Sequence, residues 1–205
     1  MRQIAQRLQR AATSAFLHFV RLYPHLPAAI RVRMAESLQS ARPKKRSRAI
    51  GRTRTDLPKP RVQYGALPFR TTEGSLEILL ATSRETKRWI IPKGWPMKGK
   101  SPHKTAEREA FEEAGLKGKI QQRAIGSYRY EKKLKDGAFV ECVVEVFPMK
   151  VSEQRRRWPE HAQRETKWLA PGEAAAAVHE PELAALIAKF EATFGADRAA
   201  EPKAA

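Results

Sequence analysis

Glu109, Glu112 and Glu113 stand at i, i+3 and i+4, a spacing that crowds three carboxylates onto one face of a helix. Like charges so placed repel by roughly 0.2–0.5 kcal/mol per pair. A face built this way calls for a compensating cation, and oxygen-only donors suit a hard divalent ion, Mg²⁺ or Mn²⁺. The first expectation is therefore an acidic metal-binding helix.

The surrounding residues delimit that helix. Ser101 is placed to N-cap the first turn, and Pro102 fits the first helical position, where its missing N–H is not needed. Gly115 supplies the left-handed residue that ends it. Ala106, Ala110 and Ala114 form a small-residue stripe that, with Phe111, is expected to press onto a sheet and leave the glutamates facing a cleft.

The stretch from Gly94 to Leu116, GWPMKGKSPHKTAEREAFEEAGL, resembles the Nudix box. Gly94, Arg108, Glu109, Glu112, Glu113, Gly115 and Leu116 fall on its pattern in register, while Lys100 replaces its first glutamate and Ala110 its bulkier aliphatic. The wider run TSRETKRWIIPKG…EREAFEEAGLKG, followed by QRETKWL, is similar to the diphosphoinositol polyphosphate phosphohydrolase branch, which also acts on dinucleoside polyphosphates. That branch has a glycine-rich loop where this chain has Lys93-Gly94-Trp95-Pro96.

The resemblance implies a metal-dependent pyrophosphohydrolase that cleaves a diphosphate linkage in a polyanionic substrate: a dinucleoside polyphosphate, an inositol pyrophosphate or another nucleoside diphosphate derivative. Such hydrolysis requires neutralised phosphoryl oxygens and a water in line with the leaving group. Carried over by position, Glu112 and Glu113 are the principal metal ligands, Glu109 is a further one, and the Lys93 carbonyl is a backbone ligand. Arg108 orients a helix carboxylate; its spacing equally allows a surface pair with Glu112. The water-activating base is expected before a strand bearing an aromatic residue, where Glu160 and Glu165 precede Trp168. Arg84, Arg88, Lys93, Lys98 and Lys100 gather cations near the box and are the candidate substrate-binding residues, favouring a polyanion by attraction. The alternative is a catalytically weak Nudix-fold binding module whose basic N-terminus meets RNA or a membrane.

Charge divides the chain. Its 205 residues carry a net +18, of which +12 lies in residues 1–60. Ile4, Leu8, Ala11, Ala15, Phe19 and Leu22 share one helical arc with arginines outside it, so residues 1–38 read as a basic amphipathic helical extension. Residues 1–22 would suit an anionic membrane surface, a partner groove or, in another cell type, an organelle transit signal. Residues 39–60, with ARPKKRSR, read as a basic flexible linker; no aromatic residues interleave the cations, which disfavours nucleic acid as a partner. The single cysteine, Cys142, excludes an internal disulfide. No run approaches the roughly 18 apolar residues of a membrane span. A cytoplasmic protein, peripheral to a membrane if the first helix is an anchor, is the expectation.

From Arg61 onward, VQYGALPFR, LEILLAT and RWIIP read as successive strands, with a turn at Thr71–Ser75. After the acidic helix, KIQQRAIGSYRY and AFVECVVEVF read as a long antiparallel pair joined around Asp136-Gly137. ETKWLAP is a short strand, Pro171 opens a helix, and a last helix runs from about Pro181 to Phe194 and ends at Gly195. This order predicts an α/β/α sandwich with a mixed sheet over residues 61–195, and a disordered tail at 196–205.

Overall fold

A computed structural model of the chain describes residues 59–134 and 137–200, with side chains to Phe194. The extension expected at 1–38 and all but the last two residues of the linker expected at 39–60 lie outside the described residues. The described residues belong to one compact unit.

Within it, strands β1 (Arg61–Thr72), β2 (Ser75–Thr82), β3 (Trp89–Ile90) and β4 (Lys93–Gly94) precede helix α1 (Pro102–Ala114). Strands β5 (Leu116–Ile120), β6 (Gly126–Lys133), β7 (Phe139–Gln154) and β8 (Thr166–Leu169) follow, then helices α2 (Pro171–Ala177) and α3 (Pro181–Ala200). All eight strands join one sheet, with β3-β2-β1-β7-β5 as its main path. The central pair β1 and β7 is parallel, from Arg61↔Cys142 to Phe69↔Lys150, and every other pairing is antiparallel, which makes the sheet mixed. Neighbours on both sides explain why Gly65 to Phe69 is buried without alternation. The hairpin from β1 to β2 turns through Glu73 and Gly74, both at positive φ, as a two-residue hairpin loop requires.

One face of the sheet carries α1. Ala106, Ala110 and Ala114 are fully buried there against Ala66, Leu79, Leu116, Phe147 and Met149. Short side chains let the helix backbone lie close to the strands. The other face carries the C-terminal helices: Phe69 packs on Phe190, with ring centroids 4.9 Å apart, and Leu183 and Ile187 are fully buried. Helix, sheet and helix form the expected sandwich.

Several local expectations are corrected. KIQQRAIGSYRY is not one strand. Its ends belong to β5 and β6, which pair with successive parts of β7 and leave the ladder between Gly126↔Val146 and Ile120↔Met149. Pro148 sits opposite that gap. Its carbonyl accepts from the Gln121 N–H at 2.8 Å, so the donor it lacks would have faced the same edge, and the ladder breaks there. Between β6 and β7, Gly137 has φ 83° and donates to the Leu134 carbonyl, while Asp136 lies outside the described residues.

The last helix continues past Gly195 to Ala200, so residues 196–200 of the expected disordered tail are helical and 201–205 lie outside the described residues. A mid-helix glycine costs only about 1 kcal/mol, too little to end a helix by itself. Phe111 does not join the alanine stripe either; it is half-buried, under the Arg108 guanidinium 5.7 Å from its ring. No helix among the described residues is long and apolar enough to cross a membrane.

Candidate active site

Helix α1 ends where its chemistry is concentrated. Gly115 adopts the left-handed conformation (φ 70°, ψ 21°) and its N–H donates to the Phe111 carbonyl. The remaining carbonyls of the last turn have no partner within the helix. Residues at and beyond the end of β7 supply them. Gln154 Nε2 donates to the Ala114 carbonyl (3.3 Å), Trp158 Nε1 to that of Glu113 (3.2 Å), the Glu160 N–H to that of Glu112 (3.1 Å) and the Arg155 N–H to that of Gly115 (2.9 Å). The Trp158 ring also lies on Gly115, where a Cβ would come within 2.7 Å of it. This backbone accounting brings Glu160 beside the acidic helix.

The box glutamates then divide by partner. Glu112 Oε1 accepts from Arg108 Nε at 2.5 Å, the i,i+4 pair that spacing allowed, and this pair is partly exposed. Glu113 is 6 % exposed. One of its oxygens accepts from Arg164 Nη2 and the other from the Lys93 backbone N–H at 3.1 Å. Burial raises its pKa above the ordinary carboxylate value, with Arg164 and Lys93 pulling the other way. Glu109 is half-buried against Gly94, where an added Cβ would stand 1.8 Å from its Oε1. Burial pushes its pKa up to about 7, and the charges of Glu113, Glu112 and Glu160 add to the rise. Glycine at position 94 thus makes room for a carboxylate of the acidic helix.

Arg164 is absent from the sequence expectations. It is 8 % exposed and joins three elements: Nη2 to Glu113, Nε to Glu160 Oε2 at 2.5 Å and Nη1 to the Thr82 carbonyl at 2.8 Å. The signal in sequence is slight, because two of its three partners lie 51 and 82 positions away. Arg84 does reach the site, donating to Glu160 Oε1 at 3.3 Å.

The two base candidates separate. Glu160 is tied to α1 and to Arg164, whereas the Glu165 side chain is exposed and its backbone exchanges hydrogen bonds with Thr82. Lys93 is half-buried, its ammonium 5.2 Å over the Tyr130 ring and its pKa lowered by burial. Arg88, Lys98 and Lys100 are exposed, and among the described residues no hydrogen bond or ion pair joins them to the carboxylates. Lys100 lines a surface cleft with Lys104, Glu107, Arg108, Phe111 and Lys117, on the side of α1 away from Glu109. Ser101 occupies the N-cap position in an extended conformation, but its hydroxyl meets the His103 ring instead of the backbone.

No group of three or more His, Cys, Asp or Glu side chains among the described residues is drawn together as a finished metal cluster. The donor set nevertheless fits a hard divalent cation. It consists of carboxylate oxygens, and burial beside Glu113, Glu112 and Glu160 raises the Glu109 pKa to about 7, an effect that a bound cation would oppose.

Sheet, packed helix and acidic helix face together define a NUDIX domain, and the NUDIX domain family model matches residues 59–190. The chain belongs to that family. It is 32% identical over 130 residues to Nudix hydrolase 12, mitochondrial, of Arabidopsis thaliana, covering 56% of this chain and 64% of that protein. The chain thus spans just under two thirds of that relative's length. It is 36% identical over 74 residues to diphosphoinositol polyphosphate phosphohydrolase 3-beta of Bos taurus, covering 36% of this chain and 44% of that protein. Among solved structures, a C. elegans Ap4A hydrolase binary complex superposes with a TM-score of 0.52 at 22% identity, covering 66% and 98% of the two chains. The NUDIX domain of Shewanella oneidensis NrtR with ADP ribose also gives 0.52, at 15% identity over 70% and 94%. These last two likenesses establish the fold.

Proposed function

We propose that this protein is a metal-dependent pyrophosphohydrolase that cleaves the diphosphate linkage of a polyanionic substrate. The substrate class is a dinucleoside polyphosphate, an inositol pyrophosphate or another nucleoside diphosphate derivative. The observation that carries this reading is the convergence of Glu109, Glu112 and Glu113 with Glu160, which arrives from a separate loop hydrogen-bonded to the same helix. The similarity to a diphosphoinositol polyphosphate phosphohydrolase supports the substrate class.

Glu112 and Glu113 would hold Mg²⁺ or Mn²⁺, with Glu109 as a further ligand and the Lys93 carbonyl beside them. When bound, the ion supplies neutralisation of the phosphoryl oxygens. Glu160 takes the proton from the attacking water, since it is the loop carboxylate held beside the box. Arg84, 3.3 Å from Glu160, meets substrate phosphate at the mouth of the site, and Arg88, Lys93, Lys98 and Lys100 add to the attraction. Arg108 keeps Glu112 in one orientation.

Screening diadenosine polyphosphates, ADP-ribose, nucleoside triphosphates and inositol pyrophosphates with Mg²⁺ or Mn²⁺ tests the reading. Cleavage of at least one diphosphate that stops in excess EDTA is expected. Full activity in EDTA, or no turnover of any member by folded protein, would contradict it.

A further inference from the structure

Among the described residues, Arg164 is the one side chain that touches both the box and the loop carboxylate, and it does so from a buried position. Three of its donors are spent on three separately held acceptors: Glu113 on α1, Glu160 in the loop after β7, and the main-chain carbonyl of Thr82 at the end of β2. The backbone bond matters most for the geometry. It ties the guanidinium to the sheet, so the two carboxylates are referred to a rigid element instead of to each other.

Glu113 is held twice over. Arg164 engages one oxygen and the Lys93 N–H the other, leaving each oxygen further lone-pair capacity toward a cation. A planar fork with five donors can serve three acceptors at once; an ammonium on a flexible stem cannot hold the same three directions.

We infer that Arg164 is a positioning residue, which fixes Glu113 as a metal ligand and Glu160 as the proton acceptor in one common frame. The inference rests on the reading of Glu113 and Glu160 proposed above. Arg164 itself touches neither substrate nor water in this role. Its effect passes through the two carboxylates, so its loss should weaken cation binding and the chemical step together while leaving substrate affinity largely intact.

The test compares wild type with Arg164→Lys and Arg164→Gln in the full chain. Mn²⁺ affinity is read by electron paramagnetic resonance, kcat and KM on a diphosphate cleaved by wild type, and folding by thermal melts in EDTA. Lysine keeps a positive charge beside Glu113 and Glu160, so Arg164→Lys carries the test if glutamine is not tolerated.

In folded Arg164→Lys, Mn²⁺ is expected to bind about tenfold more weakly and kcat to fall about 10–100-fold, with KM little changed. Four outcomes would overturn the inference. They are wild-type Mn²⁺ affinity and kcat in a folded variant, tighter Mn²⁺ binding by a variant, a loss confined to KM, or loss of the fold in both variants, which would make Arg164 a core-building residue only. If wild type itself neither binds Mn²⁺ nor cleaves a diphosphate, the reading of the site fails instead, whatever the variants do.

Discussion

The two ends of helix α1 are built on different principles. At its C-terminal end, Gly115 turns the chain and residues 154–160 supply partners to the carbonyls of Glu112, Glu113, Ala114 and Gly115. At its N-terminal end Pro102 occupies the first turn, the Ser101 hydroxyl caps nothing, and the nearest ion pair, Lys104 with Glu107, lies on the surface. One end is held by distant parts of the chain and bears the carboxylates. The other packs on the sheet through Ala106 and the His103 ring, 6.4 Å from that of Phe147, and bears none of the three box glutamates. Among the described residues, the backbone of one end is hydrogen-bonded to distant residues and the other end is held by apolar packing.

Breaking the anchored end should have the larger consequences. Gly94→Ala would drive a Cβ into the Glu109 carboxylate and force it away from its neighbours. A displacement on the ångström scale should lower kcat/KM by about a hundredfold. Steady-state kinetics on the folded variant reads this, and wild-type kinetics would show that Glu109 needs no fixed place.

The acid cluster also predicts a pH dependence. Glu109, with its pKa raised to about 7, holds more protons folded than unfolded between the ordinary carboxylate value and about pH 7. Stability of the metal-free protein should therefore fall as pH rises through that window, because ionisation opposes folding there. Urea titrations in EDTA at pH 5 and pH 7.5 measure the slope. Glu109→Gln should flatten it, and an equal slope in that variant would assign the effect elsewhere.

A smaller effect is expected from Trp158→Phe, which keeps an aromatic ring, smaller than the indole, and removes the N–H that serves the Glu113 carbonyl. Losing that bond should cost about 1 kcal/mol, visible as a lower melting temperature. At the opposite end, Ser101→Ala should change stability by less than about 0.5 kcal/mol, where a working N-cap would cost about 1 kcal/mol. A larger loss from Ser101→Ala than from Trp158→Phe would reverse the comparison.

This division also governs what was legible in the sequence. Features set by neighbouring residues read well: Pro102 and Gly115 bound the helix, Ala106, Ala110 and Ala114 pick out its packed face, and Glu109, Glu112 and Glu113 its acidic one. The succession of strands and helices along the chain, apart from the break inside KIQQRAIGSYRY, and the mixed sheet followed from the same local patterns. What did not read were relations between distant residues. Arg164 meets Thr82 across 82 positions, and nothing in its immediate surroundings marks it as buried. Glu160 and Glu165 are alike in sequence, and contacts with distant residues tell them apart: the Glu160 N–H bonds to the Glu112 carbonyl and its carboxylate accepts from Arg84. The break between β5 and β6 lies opposite Pro148, some 25 residues further along, so a pattern that looks continuous in KIQQRAIGSYRY is interrupted by its partner.

The central claim, that the carboxylates at the anchored end of α1 do the chemistry, is tested most directly by turnover of a cleaved diphosphate by Glu113→Gln. The substitution keeps the side chain's shape and removes its charge. A folded variant is expected to lose at least about a hundredfold in kcat, the scale of removing a charge-stabilising group. Wild-type kcat in a folded Glu113→Gln protein would contradict the account.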